Sequence, residues 1–295
     1  MKRTFLAGVM ALGLLSAACA NSSSGPGTGP GDGGGRTYPT APDQVVVRIS
    51  VGGGFVPPSY TITQLPSFSL MGDGLAITPG AIAEIYPGPA IAPLFGQRLT
   101  PDAVQAILSL ADADGLLAAD QTFTDMGSVG IADAATTTIT VVADGQTHTS
   151  TFYALGELGQ TKPDHMSQAE SDARSNAQDF TAKVGDLKWL PAGSASNPQP
   201  FVPTGVRVFV SDYQPDPSLE EPAIAWPLTT GLADFGDAMK GSSVGLPSRC
   251  GAVTGEDLTT LLPLIGQANQ LTPWKSNGTD YGLLFRPLLP DESGC

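Results

Sequence analysis

Residues 136–154 read TTTITVVADGQTHTSTFYA, and this stretch decides the fold class. Thr136 to Ala143 is rich in β-branched residues, and Gln146 to Ala154 alternates polar and apolar side chains. Between them stands Asp144-Gly145, a pair that tolerates positive φ at both positions, as a two-residue type I′ hairpin requires. Strands joined this tightly must run antiparallel. Upstream, Gln44 to Val51 (QVVVRISV), Ser59 to Thr63 (SYTIT) and Ser67 to Met71 (SFSLM) also read as strands. Gly72-Asp73-Gly74 folds the last of these back onto Leu75-Ala76-Ile77. Ile91 to Leu99 gives a further strand, limited by Pro93. Downstream, Val206 to Val210 (VRVFV) and Tyr281 to Phe285 have the same character.

Three helices fit between the strands. Thr100-Pro101-Asp102 supplies an N-cap, a proline in the first turn and an acid at the positive end of the dipole. Val104, Ile107, Leu108 and Ala111 line one face, and Gly115 closes the helix. Ser167 and Glu170 form a capping box for a second helix running to Leu187. Its seam of Met166, Ala169, Ala173, Ala177, Phe180, Val184 and Leu187 is narrow and alanine-rich, which suits close packing on a sheet. Thr254 caps a third helix with Leu258, Leu261, Leu262 and Ile265 on one side and Pro263 as a kink. The expected class is α+β: mainly antiparallel sheets with covering helices.

The first and third helices align at an offset of 154, with Thr100 on Thr254, Val104 on Leu258, Ile107-Leu108 on Leu261-Leu262 and Ala111 on Ile265. That match fits either a duplicated strands–helix–strands unit or the ordinary likeness of two amphipathic helices. Pro191 to Pro203 is rich in Pro, Ser, Asn and Gly and reads as a linker. The expected organisation is therefore unit one at 43–190, a linker at 191–203 and unit two at 204–295.

The first eighteen residues have a separate meaning. Lys2 and Arg3 precede an uncharged apolar run from Phe5 to Leu15, then Ser16-Ala17-Ala18 leads into Cys19. This is the layout of a bacterial lipoprotein signal, with Cys19 as the residue that receives the lipid. Ala18-Cys19-Ala20 also satisfies an ordinary signal peptidase, which would release a chain starting at Asn21. Residues 19–42 read as a tether, Gly-, Ser- and Pro-rich up to Gly35. About 22 such residues have an r.m.s. reach on the order of 26 Å. Either reading exports the protein; the first holds it by lipid on the outer face of the cell membrane.

Without Lys2 and Arg3 the chain carries 12 basic residues against 28 acidic, a net charge of −16. That balance repels phosphate backbones and argues against nucleic-acid partners. It also repels anionic lipid, so membrane contact has to come from acyl chains. With Cys19 used by lipid, Cys250 and Cys295 remain as a pair in an oxidising compartment, and a disulfide is expected. A metal or redox pair is the alternative, although no C-x-x-C is present.

The segments Gly53-Gly54-Phe55-Val56-Pro57-Pro58, Gly72-Asp73-Gly74, Ala225-Trp226-Pro227-Leu228, Cys250-Gly251, Gly255-Glu256-Asp257-Leu258, Leu271-Thr272-Pro273-Trp274 and 285–292 (FRPLLPDE) span most of the chain. In these the sequence resembles a family of lipoproteins, of no assigned activity, from high-G+C Gram-positive bacteria. The resemblance implies export and the cysteine pair, and it carries no function.

No catalytic, cofactor or metal residue is assigned. His148 and His165 lack a nearby nucleophile motif. Asp112-Ala113-Asp114-Gly115 has the first acids of a calcium loop, but Leu116 and Phe123 stand where later oxygen ligands belong. A helix C-terminus explains it better. Glu220-Glu221 and Asp291-Glu292 read as solvated turns. Gly52-Gly53-Gly54 lacks the G-K-[ST] ending of a phosphate loop, and no helix start is expected after it. Trp189, Trp226 and Trp274 read as core anchors before a sugar-stacking platform. The expectation is a non-enzymatic binding or interaction module with an envelope protein as partner. An extracytoplasmic hydrolase and a transporter's solute-binding lipoprotein are the alternatives.

Overall fold

The computed structural model describes residues 35–82, 84–124, 131–157, 166–240 and 246–295. Cys19 and His165 lie outside them, as do the signal and most of the tether. The chain forms an α+β fold with two sheets, as the hairpin signals require.

Sheet one is assembled from β1 (Val45–Gly52), β2 (Phe68–Met71), β3 (Leu75–Pro79), β4 (Leu94–Arg98), β5 (Gln121–Phe123), β6 (Thr136–Ala143), β7 (Gln146–Tyr153) and β8 (Gln199–Pro200). Their order is β5-β7-β6-β1-β2-β3-β4-β8, antiparallel except where β5 joins β7. Asp144 and Gly145 turn β6 into β7 with φ of 52° and 73°, both in the left-handed region. Helix α1 (Pro58–Thr63) follows β1, α2 (Pro101–Ala113) follows β4, and α3 (Gln168–Asp186) follows β7. Thr100 caps α2 by accepting from Ala103 N, and Ser167 caps α3 by accepting from Glu170 N. The Glu170 side chain turns instead to Arg174, buried mid-seam and donating to the Tyr153 and Phe123 carbonyls.

Cross-strand register sorts the two faces of sheet one. Val47, Ile49, Leu70, Ile139 and Val141 point to the side covered by α2 and α3, forming the largest core with Ile107, Leu108 and Phe180. Arg48, Ser50, Ser69 and Thr138 point to the other side.

Sheet two comprises β9 (Gly205–Asp212), β10 (Ile224–Ala225), β11 (Asp237–Ala238), β12 (Arg249–Thr254), β13 (Trp274–Ser276) and β14 (Thr279–Pro287), in the order β10-β13-β14-β9-β12-β11. Helix α4 (Gly255–Ile265) covers one face through Leu258, Leu261 and Ile265. Trp226, Trp274, Phe235 and Phe285 stack edge to face in that core, which is the anchor role expected of the tryptophans. Trp189 packs on the first core and donates to the Lys183 carbonyl.

Three expectations change. Ser59–Thr63 is helix, not strand: Pro58 begins α1 at a position where its lack of an N–H costs no helical bond, and the segment pairs with no strand among the described residues. A helix therefore does follow Gly52-Gly53-Gly54, though still without a G-K-[ST] ending. The 191–203 segment is no free linker. Pro200 and Gln199 pair with Phe95 and Gly96, and Thr100 N donates to the Ser194 carbonyl.

Candidate functional site

The uncovered faces of both sheets turn toward the C-terminal tail. Arg48, on β1, holds Asp291 through two hydrogen bonds of 2.7 and 2.8 Å. Arg286, on β14, holds Glu292 through bonds of 2.6 and 2.7 Å and donates through Nε to the Gln64 carbonyl. Arg207, opposite Arg286 on β9, donates to the Gly294 carbonyl at 2.7 Å. Leu289 is buried against Met71, Ile77 and Leu94 on sheet one. Cys295 then bonds to Cys250 on β12, with Cα atoms 6.0 Å apart. The tail thus joins sheet one to sheet two, and the pairing expected for Cys250 and Cys295 is present.

Asp291 and Glu292 are consequently not solvated turn residues; their side chains are 20% and 18% exposed. Burial pushes both carboxyls upward, but the hydrogen bonds and charge of Arg48 and Arg286 outweigh it and hold each below the ordinary carboxylate range. Burial lowers Arg207, and the neighbouring charge of Arg286 lowers it further. Glu220-Glu221 is a surface segment, as expected. Asp114 caps the end of α2 and Gly115 takes φ of 78°, so the calcium-like motif is a helix terminus. Burial first, then the nearby Asp179, raises the Asp114 carboxyl.

Beside the tail the two sheets leave space, and α1 roofs it. α1 buries no residue of its own. A cavity of about 420 Å³ lies between β1 and β14, lined by Val51, Leu65, Leu283, Leu284 and Phe285, with Tyr60 and Ile82 at its edge. A second cavity of about 420 Å³ shares Val51, Gln64 and Leu65 with the first and is lined by Arg48, Ser50, Thr138, Arg286 and Glu292. A third, of about 180 Å³, shares Gln270, Leu283 and Leu284 and reaches Ser59 and Ser211. Residues of α1 touch all three: Thr61 the polar one, Tyr60 and Thr63 the apolar one, Ser59 the third. The result is a row of spaces along β14, each touched by one short helix.

The segment leading into α1 explains its position. Gly53 and Gly54 have φ of 79° and 84°, and a Cβ on Gly54 would stand 2.9 Å from the Asp133 carbonyl oxygen. Phe55 N donates to that same carbonyl. Val56-Pro57-Pro58 then forms a stiff lead into the helix. The loop between β3 and β4 lines the facing side and is pinned to the turn between α4 and β13: Ala90 N donates to the Ala268 carbonyl, and Gln270 N to the Gly88 carbonyl. Of the residues lining the apolar cavity, Tyr60 and Ile82 are exposed; Phe55 in the lead into α1, at 91%, and Ile85 and Tyr86 in the β3–β4 loop are exposed as well.

Comparison with protein families, curated proteins and solved structures finds no match. The site therefore stands on its own geometry. Among the described residues, no group of three or more His, Cys, Asp or Glu is placed to hold a metal, and no helix is long and apolar enough to cross a membrane. His148 lies on β7 across from Val141 and lines none of the three cavities.

Sequence reasoning found the cysteine pair and missed the cavities. One signal pointed there. Arg48, Arg207 and Arg286 interrupt three apolar strands in a chain with few basic residues, and a cation inside a strand needs a partner across its face.

Proposed function

We propose that this is an exported, lipid-anchored binding protein of the cell envelope that holds an apolar or amphiphilic small molecule beneath α1. The observation that carries this reading is the apolar cavity between the sheets, about 420 Å³, within the size range of small-molecule sites. Its rim is apolar and exposed, as suits a site that captures poorly soluble molecules. α1 buries nothing and follows Gly53-Gly54, so it is the element that opens the cavity.

Lipid at Cys19 anchors the protein in this reading, and export and anchoring follow from the signal.

Native mass spectrometry of the protein ejected directly from membrane vesicles tests both parts. The expected mass is a chain starting at Cys19 with covalent acyl groups plus one non-covalent amphiphile. Leu284→Trp, which fills the cavity, should remove only the non-covalent mass. A wild-type chain carrying no bound molecule would defeat the binding reading; a lipid-free chain starting at Asn21 would defeat the anchor.

A further inference from the structure

We infer that the ligand beneath α1 is an amphiphile with a neutral, hydroxyl-rich head, seated in the polar cavity while its alkyl chain runs along Leu283 to Phe285. The inference rests on the binding reading above and names the ligand's chemistry. The two large cavities are neighbours, sharing Val51, Gln64 and Leu65 as a common wall. Gln64 sits at that wall, its side chain bonded to the Val51 carbonyl and its own carbonyl to Arg286. A molecule entering under α1 meets apolar side chains on one side of this wall and polar ones on the other.

Charge decides the head group. The polar cavity contains two guanidiniums, which would ordinarily suggest a carboxylate or phosphate. Here each already holds a carboxylate in a two-bond pair, Arg48 with Asp291 and Arg286 with Glu292. An anionic head would have to displace one of them from a partly buried site and leave it unpaired. It would also approach a strongly acidic chain. A cationic head would find both carboxylates already held by the arginines and would have to break one of those pairs to gain a counter-charge. What the cavity offers is hydrogen bonding without net charge. Ser50 and Thr138 are cross-strand partners on the same face, Thr136 is opposite Gly52, and the Arg286–Glu292 pair lines one side. Alternating hydroxyls and fixed ion pairs match the donors and acceptors of a sugar or polyol.

The test is photolabelling of the full-length protein in its membrane vesicles with two diazirine probes of equal chain length, an alkyl maltoside and a fatty acid. Label sites are mapped by peptide mass spectrometry. The maltoside should label Val51 to Leu65 and Leu283 to Phe285 at least tenfold more strongly than the fatty acid. Thr138→Val with Ser50→Ala should cut maltoside labelling about tenfold, the loss of roughly one net hydrogen bond, and leave fatty-acid labelling unchanged. Equal labelling by the two probes would overturn the head-group assignment while leaving the apolar cavity as a binding site. Stronger labelling by the fatty acid would replace it with an anionic head. No label from either probe in those segments would overturn the assignment and the binding reading together.

Discussion

Sheet one and sheet two share an arrangement and differ in how the chain travels through it. β1 lies between β2 and β6, and β9 lies between β12 and β14, with every one of these pairings antiparallel. In both, a helix comes next in the chain after a strand of the sheet, and a hairpin of the same sheet follows. The hairpins insert in opposite order: β6, beside β1, is the first strand of its pair, whereas β14, beside β9, is the second. Likeness between α2 and α4 does not extend to the strands before them: β4 lies three places from β1, whereas β12 is beside β9. The sheets differ again in cover. Two helices pack on sheet one and a single one on sheet two, while the second faces of both depend on one shared tail and leave the space roofed by α1.

The largest expected effect comes from cutting the covalent end of that tail. Cys295→Ser should lower stability by about 4 kcal/mol, the chain-entropy estimate for a loop of this length. Tryptophan fluorescence in a denaturant titration follows both sheets, since Trp189 packs on the first core and Trp226 and Trp274 lie in the second. A single displaced transition means the tail couples the sheets; two separated transitions would break the comparison into independent bodies.

Glu292→Ala should cost about 3 kcal/mol, because Arg286 is 7% exposed and loses its carboxylate. The measurement is the same titration, and a loss below 1 kcal/mol would mean water replaces the pair.

Acid sharpens the contrast between the tail and the α2 terminus. Asp291 and Glu292 have lowered pKa values, so their stabilisation is present above the unfolded carboxylate range near about pH 4 and fades as pH falls through the folded values. Asp114 is raised and has the opposite sign: its contribution is full below the unfolded value and is lost as pH rises through the folded one. Below about pH 4 the tail should become protease-sensitive before α2 and α3 melt. Near neutral pH, Asp114→Asn should add about 0.5 kcal/mol by removing a negative charge from a helix C-terminus, seen as a raised Tm.

The smallest expected effect on stability is at α1. Tyr60→Ala should change it by less than about 0.5 kcal/mol, since the helix buries nothing. Ligand retention in native mass spectra should nevertheless fall. A large loss of stability would make α1 a structural element and not a roof.

What the sequence revealed follows from how local each signal is. Asp144-Gly145, the Thr100 and Ser167 caps and the 100–115 periodicity act within a few residues, and all appear in the structure. Asn277-Gly278 carries the same kind of signal, with φ of 52° and 84° between β13 and β14, and was equally legible. Ser59 to Thr63 misleads because five alternating residues suit either a strand or one and a half turns of helix; the Pro57-Pro58 lead decides it. Asp291 reads as a surface turn residue because its partner Arg48 is 243 residues away, whereas Glu292 pairs with Arg286 only six residues away. Cavities between sheets arise from packing over such distances, and no local pattern encodes them.

A crystal structure of the full-length protein grown in dodecyl maltoside tests the central claim most directly. The alkyl chain should lie beneath α1 along Leu283, Leu284 and Phe285, with the sugar against Ser50 and Thr138. Detergent ordered only on the outer surface, with Tyr60 and Ile82 collapsed into an empty cavity, would contradict it.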